Sequence, residues 1–269
     1  MTFEAARRAS QGARSHQEDC AAIWPGSDEL IVPTGVAAGN LAAMLIDDGR
    51  LIAMLADGMG GHAGGALASR MVCEHFLAGY AGQIGPTRDR LRAGLAGANR
   101  AIELKVEDDR ALTGMGSTLI GAAFGPEGLE WVSVGDSPLY LYRRGEIALI
   151  NEDHSLAPAL DQLAAAGKIT LEAARADPRR HMLRSAITGE DLELVDLSVK
   201  PLALEAGDYV VLASDGIHTL EPGEIARMIT AYAVDGPEAV ATALIRAVDN
   251  MREPQQDNTT VVVVRPRVG

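Results

Sequence analysis

Residues 51–62, LIAMLADGMGGH, join a six-residue apolar run to an aspartate and a glycine-rich turn. Leu51 to Ala56 has the pattern of a strand covered on both faces. Asp57 follows directly, so its carboxylate stands at a strand tip. Gly58, Gly60 and Gly61 then let the backbone turn and approach a ligand closely. The device recurs. Tyr209 to Ala213 is another apolar run, ending in Ser214-Asp215-Gly216, and Asp257-Asn258 precedes a third run at Val261 to Val264. Aspartates at strand ends often only shape turns. Here each sits beside glycine or asparagine at the end of a buried strand, which predicts one shared metal site. Hard divalent cations, Mn²⁺ or Mg²⁺, prefer such oxygen donors.

The composition limits the alternatives. The chain has 269 residues, 47% hydrophobic and 23% charged, enough for a sizeable core, and a net charge of −13. That acidity argues against nucleic acid or an anionic membrane as partner. It also means that an anionic substrate needs local cations. Cys20 and Cys73 form no C-x-x-C pair, so they read as buried free thiols rather than zinc or dithiol chemistry. No apolar run reaches about 18 residues, and the first residues lack a signal-peptide core. A cytoplasmic location is expected.

Working outward, Cys20 to Trp24 reads as a short strand after an N-terminal arm. Residues 25–48 read as a loop with an extra strand in Leu41 to Ile46. Helices are predicted at 64–80 and 88–107. In the second, Leu91, Leu95, Ala98, Ile102 and Val106 recur at helical spacing. Strands follow at 117–124, 129–135, 138–143 and 146–150, separated by glycine-containing turns. Residues 155–190 read as helical and irregular. Strands near 192–199 and 208–214, helices near 222–232 and 237–251, and a strand at 259–265 complete the chain. Strands in runs and helices in pairs predict antiparallel sheets flanked by helices, an α+β arrangement.

Gly58, Gly60 and Ala63 also match a dinucleotide-binding G-x-G-x-x-A. No acid follows about 20 residues on, and Asp57 would face a pyrophosphate, so that reading fails. No Walker-type phosphate loop is present. Two further acids, Glu18 and Asp19, lie in the N-terminal arm, and Asp136 ends another strand in Val134-Gly135-Asp136-Ser137.

Taken in order, these motifs resemble those of the PPM (PP2C-like) metal-dependent Ser/Thr protein phosphatases, especially the compact bacterial ones. Arg14-x-x-x-Glu18-Asp19 is similar to R-x-x-N-E-D, and Asp57 to His62 is the bacterial D-G-M-G-G-H unchanged. Gly116-Ser117-Thr118, Gly135-Asp136-Ser137 and Asn151 to Ser155 resemble three further family motifs. Ser214-Asp215-Gly216 and Asp257-Asn258-x-Thr260 match the last two. The resemblance implies a four-layer α-β-β-α sandwich, two antiparallel β-sheets flanked by helices, in a single domain. It implies an insertion at 25–48 and a flap at about 155–190.

By the same resemblance Asp57 bridges two metal ions, the Gly58 carbonyl binds one, and Asp215 and Asp257 ligate the other. Glu18 and Asp19 support the metal–water network, Asp136 with Asp215 forms a third-metal site, and Arg14 holds the substrate phosphate. Two cations about 4 Å apart lower the pKa of a shared water, giving a hydroxide that attacks phosphorus in line. The implied activity is hydrolysis of phosphoserine and phosphothreonine in phosphorylated proteins, products of a Ser/Thr kinase, by a monomer. Rivals are a pseudophosphatase that binds phosphoproteins without turnover and a hydrolase of small phosphoesters.

Several positions depart from the family. Met59 replaces a histidine that eukaryotic relatives use as general acid. Gln17 stands for Asn, Pro138 for an arginine, and Ile217-His218 for Leu-Thr/Ser. None removes an implied ligand. His62 could cap or line the site, and His154 belongs to the Asn151–Ser155 motif. His16, His75, His181 and His218 read as ordinary surface or core residues. Arg179 and Arg180 read as docking points for acidic phosphopeptides.

Overall fold

The valines of the last strand show how the layers are built. Val261 and Val263 pack on one side and Val262 and Val264 on the other, all fully buried. Alternation with both faces apolar demands a layer above and a layer below. A computed structural model describes residues 1–25, 41–46, 50–61 and 63–267. In chain order it has β1 (Thr2–Ser10), β2 (Asp19–Trp24), β3 (Leu41–Ile46) and β4 (Leu51–Met59), then α1 (Ala63–Gly82) and α2 (Thr87–Asp108). Next come β5 (Gly116–Ser117), β6 (Leu119–Gly125), β7 (Gly128–Val134), β8 (Leu139–Arg143) and β9 (Glu146–Leu149), followed by α3 (Ala157–Ala165) and α4 (Leu171–Ala176). The chain ends with β10 (Asp196–Leu197), β11 (Tyr209–Ala213), α5 (Pro222–Tyr232), α6 (Pro237–Met251) and β12 (Thr259–Arg267).

Two antiparallel sheets result, with strand orders β3-β1-β12-β11-β8-β9 and β10-β7-β6-β4-β2, β5 pairing with the end of β4. Phe3, Leu51, Leu55, Ile120, Leu212 and Val262 fill the space between the sheets. The outer face of the second sheet buries Met54, Val72, Phe76 and Leu91 against α1 and α2. The outer face of the first buries Val211, Ile225, Ile229 and Leu244 against α5 and α6. This is the expected α-β-β-α sandwich.

The differences from the sequence reading are local. Residues 2–10 form a long internal strand rather than an arm: β1 lies between β3 and β12. Its Ala-Arg-Arg composition, in TFEAARRAS, hides the alternation, and only Phe3, Ala5 and Ala6 are buried. Arg7 is accommodated by donating to the Ala21 carbonyl of the other sheet. The strand expected near 192–199 shrinks to Asp196–Leu197, and Thr118 interrupts the strand expected over 117–124. Leu41–Ile46 does form a strand; most of the rest of 25–48, where an insertion is expected, lies outside the described residues, as does His62. Among the described residues no helix is long and apolar enough to cross a membrane.

Candidate active site

The aspartates meet because their strands end at one edge of the sandwich. Asp57 on β4 pairs in register with Asp19 on β2. Its backbone is pinned on both sides: the amide donates to Thr118 Oγ1 (3.0 Å), and the carbonyl accepts from the Thr118 amide (2.9 Å) and from Ser117 Oγ (2.8 Å). The side chain alone remains to face the cleft. Gly58 cannot be any other residue without movement. A Cβ there would lie 2.0 Å from the Gly65 carbonyl oxygen and 2.7 Å from that of Glu18. Gly60 and Gly61, at φ 118° and 72°, then turn the chain toward α1 in a region that side chains avoid.

Glu18 is positioned by its backbone. Its amide donates to Asn258 Oδ1 (2.8 Å), and its carbonyl accepts from Ser69 Oγ (2.5 Å) and the Gly58 amide (3.2 Å). Asn258 Nδ2 donates in turn to the carbonyls of Gln11 and His16, tying the loop that carries Arg14 to the start of β12. Asp215 opens a 3-10 turn after β11. Beside it, Ser214 Oγ donates to Asp19 Oδ2 (2.8 Å) and accepts from the Thr260 amide (2.9 Å). Asp136 follows Gly135 at the tip of β7. Pro138 precedes β8, where it needs no amide; its carbonyl accepts from Ala213.

A cleft of about 680 Å³ opens over these tips, lined by Arg14, Glu18, Asp57, Gly58, Asp136, Asp215 and Asp257, among others. Asp19 lies one layer beneath, 9% exposed. Burial is the main force on the acids. It holds Asp57 well above the usual carboxylate range, helped by the charges of Asp19, Asp215, Asp136 and Asp257. Burial also lifts Asp136 to about 7, with Asp215 and Asp153 adding to it. Asp19 rises to about 7 through burial, against the opposing hydrogen bond from Ser214. Asp215 is raised by burial and by Asp257. Asp257 instead pairs with the Arg14 guanidinium, which is half-exposed on the rim.

Glu18 Oε1, Asp19 Oδ1 and Asp215 Oδ1, buried carboxylate oxygens in this region, have no hydrogen-bond partner among the described residues. Unpaired buried oxygens among crowded like charges are costly and call for a cation. The donors are hard oxygens, which suit Mn²⁺ or Mg²⁺. As they stand, no three acidic, histidine or cysteine side chains among the described residues are already grouped around one ion. The fit is therefore one of donor chemistry and convergence.

The opposite side of the cleft overlaps the end of the flap expected at about 155–190, although its lining residues were not singled out. Residues 181–193 form a wall that contributes His181, Arg184, Glu190, Asp191 and Glu193. The wall is attached by the isolated bridges of Ser117 with Ile187 and Ser155 with Leu183, by Asn99 of α2, which donates to the Glu190 carbonyl (2.9 Å) and accepts from the Gly189 amide (3.0 Å), and by the buried Ile187. Nothing in the periodicity of 155–193 marks it. The two arginines expected to dock acidic peptides are engaged elsewhere. Arg180 forms a two-pronged pair with Asp161 (2.8 and 2.9 Å), and Arg179 does the same with Asp177 (3.0 and 2.8 Å).

Comparison with known proteins agrees with this geometry. The protein phosphatase 2C family profile matches residues 40–258. The serine/threonine protein phosphatase PstP of Mycobacterium tuberculosis is 34% identical over 232 residues, 85% of this chain and 43% of PstP. This chain thus spans less than half the length of that relative. Protein phosphatase PhpP of Streptococcus pneumoniae is 33% identical over 221 residues, 80% of this chain and 86% of PhpP. A crystal structure of the catalytic domain of PstP in complex with two manganese ions superposes with a TM-score of 0.72 at 29% identity, covering 98% of this chain and 99% of that one. With the motif order, the sandwich and the carboxylate-lined cleft, the match over residues 40–258 makes this chain a member of the protein phosphatase 2C family.

Proposed function

We propose that this protein is a metal-dependent phosphatase acting on phosphoserine and phosphothreonine in proteins phosphorylated by a Ser/Thr kinase. One observation carries the reading: Glu18, Asp57, Asp136, Asp215 and Asp257 converge on a single open cleft beside Arg14, with buried carboxylate oxygens left unpartnered. Asp57, the Gly58 carbonyl, Asp215 and Asp257 would hold Mn²⁺ or Mg²⁺, with Glu18 and Asp19 supporting them. The two manganese ions bound by PstP are consistent with that number, and Asp136 with Asp215 would hold a third. Such ions would offset phosphate charge and make a solvent nucleophile available near neutral pH.

The remaining work falls to the chain's own groups. Arg14 sits on the rim, where its fork of donors can bind two phosphate oxygens and orient the ester. The carboxylate floor sets the position of the reacting phosphorus, and the backbone bonds at Asp57 and Glu18 keep that floor from shifting. Met59, which lines the cleft, offers no proton, so the proton for the leaving oxygen would come from another group of the cleft or from water.

The test is hydrolysis of a phosphothreonine peptide and of p-nitrophenyl phosphate with Mn²⁺, then with chelator. Turnover of both, lost on chelation and restored by Mn²⁺, is expected. Peptide binding without turnover would instead identify a pseudophosphatase. Faster turnover of nucleotides or sugar phosphates than of peptides would identify a small-phosphoester hydrolase.

A further inference from the structure

His154 is 2% exposed and outside the carboxylate set, yet three hydrogen bonds meet on it. Its amide donates to the Gly135 carbonyl (3.1 Å), and Nδ1 accepts from the Gly135 amide (3.2 Å). The residue thus clamps both polar groups of the glycine that immediately precedes Asp136. The third bond leads the other way: the His154 carbonyl accepts from the Arg184 amide (2.8 Å) on the cleft wall. Leu156 donates to Met182 beside it, and Ser155 bridges Leu183.

The clamp has little slack. Gly135 is at φ 106°, and a Cβ there would meet the Thr118 side chain at 2.6 Å. Thr118 Oγ1 in turn accepts from the Asp57 amide. One imidazole therefore connects the Asp136 turn, the Asp57 strand through Thr118, and the wall. Because Nδ1 accepts, the ring proton resides on Nε2, which is buried and has no partner among the described residues. A buried polar ring kept at the cost of one unsatisfied donor, where leucine would pack without that cost, is there for the bond it accepts.

We propose that His154 is a positioning residue, which holds the Gly135–Asp136 turn so that Asp136 faces the cleft and which fixes the wall to that turn. The inference rests on the proposed metal-dependent activity, and the experiment separates the two. His154→Asn keeps an acceptor, Oδ1, at the place of Nδ1. His154→Gln puts its amide one bond farther out, and His154→Leu has no acceptor. Each variant is compared with the wild type for Mn²⁺ affinity by calorimetry, phosphopeptide turnover, and thermal midpoint.

Loss of a side chain that orients a metal ligand weakens metal binding or activity by about 10–100-fold. His154→Leu and His154→Gln are expected to fall in that range at temperatures where they remain folded. His154→Asn is expected to recover to within about threefold of wild type. In an Asp136→Asn background His154→Leu should then add little further loss, since both changes act through one group. Equal behaviour of Asn, Gln and Leu, or full additivity with Asp136→Asn, overturns the proposal. If His154→Leu does not fold, the Asn–Gln comparison decides. A wild-type protein with no Mn²⁺ binding and no turnover would overturn the phosphatase reading itself.

Discussion

The floor of the cleft and its wall are built on different terms. The floor consists of strand tips, and Asp57 and Glu18 each have their backbone groups tied to neighbouring elements. The wall is a long excursion held at scattered points, the Ser117–Ile187 and Ser155–Leu183 bridges, the pairing of Asn99 with Gly189 and Glu190, and the buried Ile187, with Glu190, Asp191 and Glu193 exposed along it. In the 155–180 segment that leads to it, α3 buries only Leu160 and α4 only Ala174. Chemistry requires atoms held within a fraction of an ångström, which strands supply. Recognition of varied protein surfaces tolerates, and uses, a less firmly held element. On the proposed function, the floor would govern reaction rate and the wall choice of substrate.

The most direct attack on that division is Asp57→Asn. Losing one charge at the centre of the floor should reduce Mn²⁺-dependent turnover by more than about a hundredfold, the upper end of the effect of losing a residue that only supports a ligand. The thermal midpoint without metal should hold or rise, because a crowded like charge has been removed. Near wild-type activity on p-nitrophenyl phosphate would remove Asp57 from the chemistry.

The floor should also show itself through pH. Asp19 and Asp136 rise to about 7 in the folded chain, above the unfolded carboxylate value near 4. The folded state therefore holds more protons at these two sites, and the stability they contribute is full below about pH 4 and lost as pH rises through about 7. In chelator, the thermal midpoint should fall between pH 5 and 8. Saturating Mn²⁺, which replaces those protons, should flatten the curve. A midpoint that rises with pH in chelator would contradict the assignment of burial as the dominant force.

Arg14→Ala is expected to raise KM for a phosphopeptide about tenfold, with a smaller loss in kcat and Mn²⁺ affinity nearly unchanged. A guanidinium that touches phosphate in both ground and transition states acts mainly on KM. Weak Mn²⁺ binding with unaltered KM would instead make the Arg14–Asp257 pair structural. The smallest effect belongs to the wall. Glu190→Gln with Glu193→Gln should change phosphopeptide turnover by about threefold, as exposed charges do when they steer rather than bind. Hydrolysis of p-nitrophenyl phosphate should stay within error. Parallel changes on both substrates would show that floor and wall are not separable.

The legible part of the molecule was the floor. Each acid follows or precedes an apolar run, so strand length and the neighbouring glycine or asparagine pointed to Asp57, Asp136, Asp215 and Asp257, all of which line the cleft. Helices α1, α2, α5 and α6 were readable for the same reason: their apolar stripes face sheets. Two things were not. Strand β1 is specified by its neighbours, since TFEAARRAS carries two consecutive arginines and gains its place from pairing with β12 and β3. The wall is specified by tertiary bridges such as Ile187 to Ser117, which leave no period in the sequence. The roles of Asn258 and His154 were hidden for a related reason. Both act by accepting backbone amides from residues far away in the chain, Glu18 and Gly135.

The pairing of β1 with β12 matches Thr2 with Arg267 and Ser10 with Thr259. The first strand of the chain is thus completed by the last, in the middle of a sheet. During synthesis, β1 and β11 must each wait with an open edge until residue 267 has left the ribosome. The cleft waits too, because the loop carrying Arg14 and Glu18 is anchored by Asn258. Contacts of such sequence separation close late and slowly. A nascent chain would therefore lack its cleft until β12 has emerged and paired with β1.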